Sequence, residues 1–123
     1  MTLAALQFIS DQLSGIIPYE FEEWQSEPLP DPYFVGEFSE IESMTFEEDG
    51  FQESQMIVTG TGTSWINLVE SSDKIRNSLP KTAILSNGNG IAVYYAASIP
   101  IPTDDAELKR IQINLTVKEW SVK

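Results

Sequence analysis

The stretch from Leu108 to Val122 sets the strictest limit on what this chain can become. Ile111, Ile113, Leu115 and Val117 alternate there with Arg110, Gln112, Asn114, Thr116 and Lys118. Successive side chains of a strand point to opposite faces, so a period of two predicts a long antiparallel strand, apolar on one side and polar on the other. Such a strand needs neighbours to pair with and an apolar layer to cover its buried face.

The rest of the chain supplies both. Ala83–Leu85 and Ile91–Ile99 flank Asn87-Gly88-Asn89-Gly90, residue types that tolerate the positive φ of a hairpin turn. Pro100 and Pro102 are expected to break the second of these strands. Tyr33–Met44 and Gln52–Thr59 read as two further strands around the turn signal Glu47-Glu48-Asp49-Gly50. Tyr19–Trp24, where aromatic and acidic residues alternate, reads as a short edge strand. Ser26–Pro32, with Pro28, Pro30 and Pro32, is a loop. Residues 3–14 form an amphipathic helix carrying Leu6, Ile9 and Leu13 with Ile16 and Ile17 beyond, capped by Thr2 and ended by Gly15 and Pro18. A second helix spans roughly residues 65–79, with Trp65, Leu68, Val69, Ile75 and Leu79 as its apolar stripe and Thr63 or Ser64 as its cap. The order α-β-β-β-α-β-β-β makes a single α+β domain over residues 1–123, a mostly antiparallel sheet with two helices packed on it.

Composition narrows the chemistry. The 123 residues include no cysteine and no histidine, so thiol nucleophiles, disulfides, imidazole bases and ordinary zinc sites are excluded. The formal charge is -12, which repels a phosphate backbone and argues against sequence-specific nucleic-acid binding. No apolar run is long enough for a transmembrane helix, and the first residues lack the basic start of a signal peptide, so a soluble cytoplasmic product without membrane partners is expected. The charge is uneven. Residues 1–73 hold every acid but four and no base, a net -15, while residues 74–123 hold all 7 bases for a net +3. An acidic surface on one subunit meeting lysine and arginine on the next would give head-to-tail contacts, which close into rings or extend as filaments.

The local motifs point away from catalysis. Gly60-Thr61-Gly62 lies between a strand and a helix, but no lysine follows at phosphate-loop spacing and Trp65 replaces the third glycine of a dinucleotide fingerprint. It reads as a tight connection. Glu47, Glu48, Asp49 and Glu53 lack the spacing of a calcium loop and read as a solvated turn. Glu20, Glu22 and Glu23, alternating or adjacent on one short strand, point partly to opposite faces and so read against paired acid–base work, and Asn114-Leu115-Thr116 is a glycosylation sequon in form only. No enzyme activity and no cofactor are expected. Trp24, Trp65 and Trp120 suit the core; Trp120, on the Arg110 and Lys118 face by parity, is the best of the three as an interface anchor.

Several of these segments together resemble a known group. A short N-terminal helix leads through Ile17-Pro18-Tyr19-Glu20-Phe21-Glu22-Glu23-Trp24 into Asp31-Pro32-Tyr33-Phe34-Val35. Glu48-Asp49-Gly50 then precedes a strand, a helix with Leu68 and Ile75 follows, and Lys118-Glu119-Trp120 closes the last strand. In element order and these motifs the chain resembles the tail terminator and tail-completion proteins of long-tailed bacteriophages and prophages. The resemblance implies a structural α+β subunit without cofactor, assembling as a usually hexameric ring. Such a ring caps the tail tube and meets the head connector, in a virion built in the bacterial cytoplasm. Ring closure would set an acidic surface, drawn from Glu37, Glu40, Glu42, Glu47, Glu48 and Asp49, against Lys74, Arg76, Lys109 or Arg110 of the next subunit, with Trp120 as a further contact. Ser26–Pro32 and Glu47–Gly50 are the expected contact loops. Two other roles fit the sequence: an acidic DNA mimic that occupies a basic DNA-binding protein, and another minor tail or head–tail joining protein. A carboxylate-bound metal enzyme fits it least.

Overall fold

A computed structural model of the chain describes residues 1–40 and 51–121. The elements follow the expected order: α1 (Leu3–Ser14), β1 (Tyr19–Phe21), β2 (Tyr33–Glu40), β3 (Phe51–Gly62), α2 (Trp65–Asn77), β4 (Lys81–Ile84), β5 (Gly90–Ile101) and β6 (Lys109–Trp120). They form one six-stranded sheet in the order β1-β2-β3-β6-β5-β4. All neighbours are antiparallel except β1 and β2. The fold is α+β, as the patterning implied.

The alternation in β6 becomes its two faces. Ile111, Ile113, Leu115 and Val117 are buried, and the residues between them are half-exposed. β3 supplies the matching half of the core, with Met56 opposite Leu115 and Val58 opposite Ile113. On the far side of β6, Val93 pairs with Val117 and Tyr95 with Leu115. Both helices cover this one face. α1 buries Ala5, Ile9 and Leu13 at helical spacing, and Thr2 Oγ1 accepts the Ala5 N–H at 3.2 Å as its cap. Fully burying each aliphatic side chain contributes about 1.5–3 kcal/mol, so this single layer dominates the stability.

Three expectations are corrected. The first concerns Gly60-Thr61-Gly62, which is not a turn: it is the last part of β3, paired with β2 on one side and β6 on the other. The reason is steric. The Phe34 ring lies directly over Gly60, in the space a Cβ would need, so the glycine admits an aromatic ring to the core. The second concerns α2, whose buried stripe is Leu68, Ser71, Ser72 and Ile75, while Trp65 is 39% and Val69 48% exposed. Small serines let the helix sit close to the sheet, and Ser72 Oγ meets the Tyr95 hydroxyl at 3.0 Å. The third concerns Pro100, which does not break β5; it pairs opposite Ile111. β4 covers β5 only from Gly90 to Val93, so Pro100 lies where the strand has a neighbour on one side, a place that tolerates a residue without an N–H.

Candidate assembly surface

The strand order places the base-free and the base-containing parts of the sequence in different halves of the sheet, although the second half also holds Asp104, Asp105, Glu107 and Glu119. β1, β2 and β3 make one half of the sheet and β6, β5 and β4 the other. Glu20, Glu37 and Glu53, with Glu22, Glu23, Glu27 and Asp31 in the β1–β2 connection, belong to the first half. Lys81, Lys109, Arg110 and Lys118 belong to the second, and Lys74 and Arg76 sit in the last turn of α2, which leads into β4. That position also suits the helix, because its carbonyl end carries partial negative charge.

Those of the proposed interface residues that are described are spread over β2, the end of α2 and β6. Glu37 is exposed on β2. Glu40 ends β2, whereas Glu42, Glu47, Glu48 and Asp49, together with the turn they were expected to form, lie outside the described residues. Lys109 and Arg110 are tied to their own subunit: Lys109 Nζ donates to the Ala106 carbonyl, and Arg110 Nε donates to Thr61 Oγ1 at 3.3 Å. Arg76 lies 4.7 Å from the centre of the Tyr95 ring, a cation–π arrangement that spends its flat face within the subunit. Lys74 is exposed. Trp120 is half-buried on the uncovered face of the sheet, its indole filling the space above Gly90.

Local chemistry fixes the β1–β2 connection. The Glu20 carboxylate accepts the N–H groups of Gln25 at 3.1 Å and Ser26 at 3.2 Å. Hydrogen bonding from the Ser26 side chain and these N–H groups holds its pKa below the usual carboxylate value. At the other end Asp31 accepts the Thr63 hydroxyl and the Thr63 N–H, the latter at 3.0 Å, and is lowered for the same reason. Trp24 packs against Tyr33 with ring centres 5.9 Å apart, and its indole donates to the Ser26 carbonyl at 2.7 Å. Leu29 lies between the two carboxylate anchors, with Pro28 and Pro30 on either side, and is 58% exposed.

Two features were not anticipated from the sequence. One is Glu119, 5% exposed on the helix-covered face, whose carboxylate accepts the Thr2 N–H at 3.1 Å, the Thr2 hydroxyl at 2.6 Å and the Asn89 amide at 2.9 Å. Burial pushes its pKa up, but these donors outweigh burial and hold it below the ordinary value. The signal was available, since Glu119 continues the inward parity of Ile111 to Val117. The other is a cavity of about 80 Å³ between α1, the end of α2 and the sheet, lined by Phe8, Leu13, Ile16, Ile75 and Leu79 with Lys81 among its few polar groups.

Among the described residues no three acidic side chains converge as a metal-binding group, and no helix is long and apolar enough to cross a membrane. No family model matches the chain, and no curated protein matches it significantly.

Proposed function

We propose that this chain is a structural subunit that assembles head to tail with copies of itself, in the role of a phage tail terminator. As a ring it would cap the tail tube, meet the head connector and leave the cell as part of the virion. The observation that carries this reading is the uneven charge across the sheet: the β1–β3 side carries acids and no base, while every lysine and arginine among the described residues lies on the β6–β4 side or at the end of α2, where Asp104, Asp105, Glu107 and Glu119 offset them. A bipolar subunit attracts its neighbour through unlike surfaces, and such heterologous contacts close into rings when the rotation permits.

Net charge works against this attraction, since two copies at -12 each repel one another as whole bodies. The two effects differ in range. At about 0.15 M salt the Debye length is roughly 8 Å, so repulsion between distant charges is screened while contact pairs still attract. Molar mass in solution, measured by light scattering across concentration and salt, tests the reading. A discrete oligomer whose dissociation constant rises with salt above about 0.15 M is expected. A chain that remains monomeric at every concentration and salt rejects self-assembly, and a monomer that instead captures a basic DNA-binding protein in a salt-sensitive way favours the DNA-mimic role.

A further inference from the structure

The pinned β1–β2 loop projects an exposed leucine among acids, and the helix-side cavity is apolar with Lys81 as the charged residue of its lining. Leu29 stands on a short segment whose two flanking prolines restrict its backbone and whose ends are held by Glu20 and Asp31. An exposed leucine on a rigid support loses little conformational freedom when it is buried by a partner. It does not fill the cavity of its own chain, because it is 58% exposed.

The cavity accepts a group of that size. Its volume is about 80 Å³, several times what a water needs and about half of the roughly 150 Å³ cavity that takes a benzene. A branched four-carbon side chain suits this space better than an aromatic ring does. Phe8, Leu13, Ile16, Ile75 and Leu79 make the lining apolar, while Lys81 lies among its lining residues and Lys74 is exposed on the last turn of α2. The loop is acidic on both sides of the leucine, with exposed Glu27 before it and Asp31 after it, and Glu22 and Glu23 earlier in the same connection. The acids around the projecting leucine can meet Lys81, the charged residue among the cavity's lining, and this pairing steers the orientation of the contact.

We infer that Leu29 of one copy enters the cavity between α1 and α2 of the next, making the β1–β2 loop and this cavity the two halves of a head-to-tail contact. The inference rests on the self-assembly reading above and names the surfaces that would carry it. Because donor and acceptor surfaces differ, each subunit keeps one of each free after pairing, and the contact propagates until a ring closes.

Two variants test it, each placed at a site that the fold does not depend on. Leu29→Glu removes the projecting group and leaves the cavity intact. Gln12→Trp lays an indole across the cavity from half-exposed α1 and leaves the loop intact. Circular dichroism and thermal melts check that both remain folded. Each variant alone is expected to lose about ten- to a hundredfold in self-association, the range for burying one leucine. Mixed in equal amounts, they should form a dimer and nothing larger, since only one of the four possible contacts has both a projecting leucine and an open cavity. Wild-type oligomers that Leu29→Glu leaves unchanged would overturn this contact while leaving self-assembly standing. Two variants that stay monomeric when mixed would overturn it as well. A wild-type chain that is monomeric up to millimolar concentration overturns both readings.

Discussion

Two carboxylates in this molecule make nearly the same contacts in opposite surroundings. Glu119 accepts the N–H and the hydroxyl of Thr2, the cap of α1. Asp31 accepts the N–H and the hydroxyl of Thr63, the residue before the cap of α2. Each therefore binds the strand framework to the start of a helix. Glu119 is buried and adds a third donor from Asn89, whereas Asp31 is exposed. In water a broken contact is replaced by solvent; in the core it leaves donors without acceptors, so the same geometry carries different weight. The buried carboxylate holds the fold, and the exposed one holds a loop.

The comparison breaks most visibly at Glu119→Ala. This change strands the Thr2 hydroxyl, the Thr2 N–H and the Asn89 amide, and is expected to cost about 3 kcal/mol, a fall in Tm of roughly 10 °C. A calorimetric shift no greater than that of Asp31→Ala would show that burial does not separate the two sites.

Acid should reveal a smaller effect. Because the folded pKa of Glu119 lies below its unfolded value, its contribution is present above the ordinary carboxylate pKa of about 4.3 and is lost as pH falls through the lowered folded value. Glu119→Gln keeps the shape without the charge. It should be less stable than wild type at pH 6, with the difference narrowing below about pH 4. Urea midpoints across pH measure this, and a gap that stays constant would remove charge from the account.

Asp31→Asn is expected to change global stability least. Its effect should be local, as faster amide exchange at Thr63 and in the preceding loop with core protection unchanged. If Leu29 is the contact proposed above, the same variant should also weaken self-association, because the support of the loop has been loosened.

Much of the architecture was legible because local patterns specified it. The alternation from Ile111 to Val117 gave β6 and its buried face, and Asn87–Gly90 gave the β4–β5 hairpin. What escaped depends on residues distant in sequence. Gly60 resembles a turn residue until Phe34 is seen to need the space above it. Ser71 and Ser72 look solvent-facing until the sheet is close enough to need small side chains, and the true stripe of α2 therefore excludes Trp65 and Val69. The uneven charge was visible as a count, but only strand order shows that the bases share their half of the sheet with Asp104, Asp105, Glu107 and Glu119. The cavity had no signature at all, since its walls come from two helices and three strands.

The position of β6 has a consequence for synthesis. It is the last of the six strands to leave the ribosome, yet it lies in the middle of the sheet, between β3 and β5. Without β6 no strand joins the β1-β2-β3 group to the β5-β4 pair, and the edges of β3 and β5 lack their partner. Unpaired edges of this kind are templates for joining the wrong chain. Closure of the sheet therefore depends on β6, and without it those edges would be open to mispairing.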